Sequence, residues 1–140
     1  MTTSIDTNVI VALWWNVDSL NHVAAHLLKT ARNRGPLVIS APVFAELLGD
    51  PQRSEAKLSR FLEEVDIAIE WLFEEPLWRE AGRAYQSYVR RRRLVSGAFP
   101  RRILTDFLIG AHAQSRGYTL LTLDKRLYSA AFPELQVIST

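Results

Sequence analysis

Ser4-Ile5-Asp6-Thr7-Asn8-Val9-Ile10-Val11-Ala12-Leu13 is the stretch from which the fold can be read. A carboxylate and two small polar residues interrupt what is otherwise one apolar run beginning at Ile5. A strand buried on both faces does not carry an isolated charge, because an ionised carboxylate is costly to desolvate without a cationic partner. Asp6 therefore marks the end of the strand. In open α/β sheets that edge, outside the carboxyl ends of the strands, is where ligands bind.

Outward from this point, Val9 to Trp15 has the pattern of a short helix, and Leu20, Val23, Ala24, Leu27, Leu28 and Ala31 recur at helical spacing until Gly35-Pro36. Leu37 to Ser40 reads as a strand, and Pro42 suits the first turn of a helix through Val43, Phe44, Leu47 and Leu48, with Glu46 placed near its start. Leu58, Phe61, Leu62 and Val65 give an amphipathic helix, and Ile67 to Ile69 a third strand. A long helix is expected from Leu77 to about Leu94, with Arg90 to Arg93 at its carboxyl end, where the dipole favours cations. Ile103 to Ala113 is apolar nearly all round, so it should be the most buried helix, yet it carries Asp106. Gly110, one turn later on the same face, is expected to keep space open beside that acid. Thr119 to Thr122 is a fourth strand, Leu127 to Phe132 a short helix and Gln136 to Ile138 a last strand. Strands separated by helices imply a parallel sheet covered on both faces.

The chain has 140 residues, 48% hydrophobic and 23% charged, enough for one domain with a sizeable core. No apolar run reaches the roughly 18 residues of a membrane span, and no basic leader opens the chain. The absence of cysteine excludes disulfides, thiolate metal sites and a cysteine nucleophile, and fits a reducing cytoplasm. A net charge of +2 permits a nucleic-acid partner without demanding one.

Asp6 and Asp124 fall at strand ends, whereas Glu46 and Asp106 fall on helices that follow breaks. Each alone reads equally as a helix cap, a solvated acid or a partner for arginine. Together they suggest a shared site. Two like charges about 5 Å apart repel by roughly 3 kcal/mol at an effective dielectric near 20, so convergent acids must protonate or recruit a cation. Oxygen-only ligands select Mg²⁺ or Mn²⁺ over zinc, and such an ion can activate water and neutralise a phosphoryl oxygen.

D-T-N-V-I from Asp6, P-x-x-x-E from Pro42 to Glu46, R-x-x-x-D-x-L-I-G-A-H-A from Arg102 to Ala113 and L-L-T-L-D-K-R-L-Y from Leu120 to Tyr128 stand in order along nearly the whole chain. In these motifs the sequence resembles the PIN-domain ribonucleases, and most closely the VapC toxins of type II toxin-antitoxin pairs. The resemblance implies a single PIN domain over residues 1–140, an α/β three-layer fold with a five-stranded, mainly parallel sheet flanked by helices. It also implies Mg²⁺- or Mn²⁺-dependent endonuclease action on RNA, a cognate antitoxin and a homodimer. Carried over by position, Asp6, Glu46, Asp106 and Asp124 would form the acidic quartet that holds metal and activates water, with Thr7, Asn8 and Thr122 orienting it. Some relatives have a further acid where this chain has Arg126, which leaves one or two metal ions open.

Arg90, Arg91, Arg92, Arg93, Arg101 and Arg102 form the densest basic cluster, either an RNA-steering surface or a solvated helix end. His22 and His26 lie four apart but lack a third ligand, so an ordinary helix surface outweighs a zinc site. His112 reads as a hydrogen-bonded core histidine. Trp14 and Trp15 point in different directions on a helix, which leaves one of them available to a partner. Two other activities are disfavoured. An aspartate-nucleophile phosphatase wants a second aspartate where Asn8 stands, and a phospho-receiver wants its acceptor at the end of a strand, whereas Asp66 precedes one.

Overall fold

The computed structural model describes residues 1–15, 18–96 and 104–140. Its elements run β1 (Thr3–Ile5), α1 (Thr7–Trp15), α2 (Asp18–Arg34), β2 (Leu37–Ser40), α3 (Ala41–Leu47), α4 (Glu55–Glu64), β3 (Ile67–Glu70), α5 (Glu75–Ser96), α6 (Leu104–Arg116), β4 (Thr119–Leu121), α7 (Lys125–Ala131) and β5 (Val137–Ile138). The five strands form one sheet in the order β3-β2-β1-β4-β5, and all four pairings are parallel. The three-layer α/β architecture expected from strand–helix alternation is the one observed, with a sheet parallel throughout.

This order places β1 in the middle. The chain steps outward from β1 through β2 to β3, then returns to the other side of β1 for β4 and β5. The reversal puts the topological switch point between β1 and β4, where diverging connections leave a crevice beyond the strand ends. Ile5 pairs with Leu121 as the last matched residues of β1 and β4, so the next residues on each strand, Asp6 and Thr122, emerge side by side at that crevice.

Both faces of the sheet are apolar. Ile5, Ile39, Leu120 and Leu121 are fully buried, and Val9, Leu47, Leu58 and Ile109 cover them from the helices. α6 is buried continuously from Phe107 to Ala113, as its uniformly apolar sequence requires. Gly110 does not serve the purpose expected of it. A Cβ at that position would overlap the Phe132 ring, so the missing side chain admits an aromatic from beyond α7 rather than opening space beside Asp106. Glu46 is also relocated: α3 spans only seven residues, and Glu46 is the sixth, in its last turn rather than near its start.

Candidate functional site at the β1–β4 crevice

Asp6 is 4% exposed, although it carries a carboxylate. Its backbone N–H donates to Leu121 O at 2.9 Å, continuing the ladder one residue past β1, and its carbonyl accepts from Val9 N–H at 3.2 Å as α1 begins. The carboxylate is thus held between a strand end and a helix start. Thr7 N–H donates to Oδ1 at 2.7 Å, and the Thr122 hydroxyl donates to Oδ2 at 2.7 Å. Burial raises the Asp6 pKa above its ordinary value. The hydrogen bonds from Thr122 and Thr7 and the nearby Tyr128 hydroxyl oppose the shift, and the charge of Glu46 adds to it.

Glu46 reaches the same crevice from the end of α3, where its Oε1 accepts the Thr7 hydroxyl at 2.6 Å. Thr7 therefore ties the two acids together, its N–H on Asp6 and its hydroxyl on Glu46. Among the described residues no lysine or arginine forms an ion pair with either carboxylate. Asp106 stands in the first turn of α6, half-buried, and with Asp6 and Glu46 it contributes to the electrostatic field at the Tyr128 phenol.

Thr122 organises the other wall. Besides donating to Asp6, its oxygen accepts Asp124 N–H at 2.9 Å and lies 3.4 Å from Asn8 Nδ2. Asn8 Oδ1 in turn accepts Leu123 N–H at 3.1 Å. Asn8 and Thr122 thus clasp the start of α1 to the turn after β4. Asp124 occupies the N-cap position of α7 but makes no capping bond with its side chain. It lines a groove of about 330 Å³ with Tyr88, Arg91, Arg92, Arg126, Leu127 and Ala130. The structure accordingly brings Asp6 and Glu46 together through Thr7 and links Asp6 to the Asp124 backbone through Thr122, while the Asp124 side chain lines the arginine groove and Asp106 reaches the site through its charge.

Among the described residues no three acidic or histidine side chains are close enough to form a metal-holding group. The donor chemistry nevertheless suits a hard divalent cation. Asp6 and Glu46 offer oxygens of like charge with no cationic partner among the described residues, and Mg²⁺ commonly takes only one or two carboxylates while keeping several waters. His22 and His26 are both exposed on α2, and no such group includes them.

Tyr128 is the site residue that the sequence left without a role. It is 1% exposed, and burial followed by the charges of Asp6 and Asp106 raises its pKa. The signal available was its position in α7, one helical turn after Asp124 and therefore on the same face.

Of the basic cluster, Arg90 and Arg91 are exposed on α5 and Arg92 is half-buried. Arg101, Arg102 and the side chain of Arg93 lie outside the described residues. Trp14 packs edge-on against Phe61 with ring centroids 4.7 Å apart, beneath the Arg53 guanidinium at 4.8 Å, so it is not the free aromatic of its pair. The Trp15 side chain lies outside the described residues. His112 is fully buried, as expected, with Nε2 3.0 Å from Glu70 Oε1 and its ring stacked on Phe73 at 5.2 Å. Glu70 is thus within hydrogen-bond distance of Nε2, while Nδ1 has no hydrogen-bond partner among the described residues.

A family model described as "PIN domain" matches residues 4–133. No curated protein matches the sequence. Among solved structures the chain is similar to VapBC2 from Rickettsia felis bound to a DNA fragment from its promoter, at 21% identity and TM-score 0.62, covering 99% of this chain and 98% of that one. It is similar to a toxin-antitoxin complex from Klebsiella pneumoniae at 19% identity and TM-score 0.67, with 98% and 96% covered. Mycobacterium tuberculosis VapC20, a sarcin-ricin loop cleaving toxin, matches at 17% identity and TM-score 0.63, with 96% and 98% covered. At these identities the likeness is one of fold.

Proposed function

The chain belongs to the PIN domain family, and from that premise we propose that it is a metal-dependent endoribonuclease, the toxin of a type II toxin-antitoxin pair, acting in the cytoplasm on RNA. The observation that carries this reading is the Asp6–Glu46 pair: two carboxylates bridged by Thr7, without a cationic partner among the described residues, at the switch point of a parallel sheet.

Asp6 and Glu46 are the residues that would hold Mg²⁺ or Mn²⁺, with Asp106 and Asp124 completing the acidic quartet. Bound there, the ion supplies a water of lowered pKa and neutralises charge developing on a phosphoryl oxygen. The protein's own residues do the rest. Thr7 and Thr122 fix the rotamer of Asp6 through opposite oxygens, so the carboxylate is preorganised and loses little freedom on binding. Asn8 and Thr122 hold the turn that presents Asp124. Arg91, Arg92 and Arg126 give the adjoining groove the positive charge that a phosphate backbone requires. Without a cation, the carboxylates repel that backbone, so binding and cleavage are coupled to the metal.

An antitoxin partner and self-pairing are part of the same proposal. The first is supported by the toxin-antitoxin complex among the similar structures, the second by the sequence resemblance alone. Incubation of the purified chain with structured RNA in Mg²⁺, in Mn²⁺ and in chelator tests the activity. Cleavage only with metal, lost in Asp6→Asn and Glu46→Gln, is the expected result. RNA left intact under every condition, or cut equally by both variants, overturns it.

A further inference from the structure

Tyr128 is a buried phenol whose hydroxyl completes no hydrogen bond of regular geometry among the described residues. Leaving a buried hydroxyl unpartnered is costly, so its surroundings should identify the group it serves. Those surroundings are acidic: Asp6 first, then Asp106 and Glu46. At neutral pH a phenol keeps its proton, and facing carboxylates it can act only as a donor.

Counting lone pairs on Asp6 narrows the choice. A carboxylate offers about four acceptor sites. Thr7 N–H takes one on Oδ1 and the Thr122 hydroxyl one on Oδ2. A third donor leaves a single site free.

The position of Tyr128 follows from the fold. α7 begins directly after Asp124, so a residue four positions on lies beneath the same face. Phe132, another four on, packs where Gly110 has no side chain, which seats the end of this segment against α6 and its Asp106.

We propose that Tyr128 is a positioning residue: its hydroxyl donates to the Asp6 carboxylate and, with Thr7 and Thr122, leaves one Asp6 lone pair directed at a divalent cation. The proposal rests on the reading of Asp6 as a cation ligand. It assigns Tyr128 no contact with substrate.

Calorimetric titration with Mn²⁺ of the full chain and of Tyr128→Phe, paired with thermal unfolding in chelator, tests it. The variant removes one oxygen and keeps the ring. Expected is a dissociation constant for Mn²⁺ weakened by about tenfold, the scale of one hydrogen bond to a charged group, with the metal-free Tm lowered because the buried carboxylate loses a donor there too. An unchanged dissociation constant overturns the proposal, as does an equal loss of Mn²⁺ affinity in Gly110→Ala, which lowers the metal-free Tm without touching the hydroxyl. If Tyr128→Phe does not fold, the hydroxyl proton of ring-labelled tyrosine decides, with the Tyr118 signal assigned through Tyr118→Phe. A slowly exchanging Tyr128 hydroxyl that moves downfield on Mg²⁺ addition supports the proposal, and one that is absent or unresponsive overturns it. A wild-type chain that binds no Mn²⁺ overturns both this inference and the reading beneath it. A wild type that binds Mn²⁺ and cuts RNA, beside a Tyr128→Phe that binds equally well, overturns this inference alone.

Discussion

The Thr122 hydroxyl donates to Asp6 Oδ2 at 2.7 Å across a separation of 116 residues. This bond joins the ends of two adjacent parallel strands at the sheet's switch point, and the same oxygen accepts Asp124 N–H at 2.9 Å. Thr122→Val keeps the shape and removes both interactions. A loss of about 1–3 kcal/mol in unfolding free energy by urea titration is expected, together with a fall in RNA cleavage as Asp6 loses its fixed rotamer. Thr122→Ser, which keeps the hydroxyl, should retain most of the activity.

Asp6 should lower stability while serving function. Burial first, with a contribution from Glu46, places its folded pKa above the ordinary 3.8, so the folded chain holds this proton to higher pH than the unfolded chain does. Stability from this group is present below about 3.8 and is lost as pH rises through the folded pKa. At neutral pH Asp6→Asn should therefore raise the metal-free Tm, by about 3 °C for each 1 kcal/mol relieved, while cleavage falls at least about a hundredfold. Differential scanning calorimetry beside an RNA cleavage assay measures both. A variant less stable than wild type in chelator would show that the carboxylate is already compensated.

His112 gives the opposite pH dependence. Burial, opposed by Glu70, holds its pKa below the ordinary 6.5, so the folded chain refuses a proton that the unfolded chain accepts. Its contribution is complete above about 6.5 and is lost as pH falls toward the folded value. Unfolding free energy should decline on acidification through that window. In His112→Phe, which preserves stacking on Phe73, the decline should flatten.

Gly110→Ala places a methyl group where the Phe132 ring lies. Overpacking of this kind costs about 1–3 kcal/mol, readable as a lower urea midpoint at unchanged slope. Combining it with Phe132→Leu should recover part of the loss. Full additivity of the two changes would show that the overlap is relieved elsewhere.

The arginine groove predicts a salt dependence. Arg91→Ala and Arg126→Ala should each weaken RNA binding across unrelated sequences and reduce the slope of log affinity against log salt by about 1. Fluorescence anisotropy with catalytically silent Asp6→Asn protein and several salt concentrations measures it. A loss confined to one RNA sequence would point to base recognition instead.

Much of this protein was legible in one dimension. Alternation of apolar runs with helical periodicity fixes element type through local geometry, so β2 was read to its observed ends at Leu37 and Ser40 and the burial of α6 followed from its uniformly apolar sequence. A lone carboxylate terminating an apolar strand placed Asp6 at the sheet edge by desolvation cost alone. Local signals could not say where Glu46 falls along α3, because a seven-residue helix ends where packing stops it. Nor could they assign Gly110, whose purpose is set by a ring 22 positions further along the chain. The place of Tyr128, and the separation of the Asp6–Glu46 pair from the Asp124 side chain in the arginine groove, depend on which elements the sheet order makes neighbours. Sequence by itself determined the elements, their parallel arrangement and the acids, since these follow from short-range sterics and the cost of burying charge. Only the tertiary structure decided which side chains face one another at the crevice, since an interaction spanning more than a hundred residues has no local signature until the chain has folded.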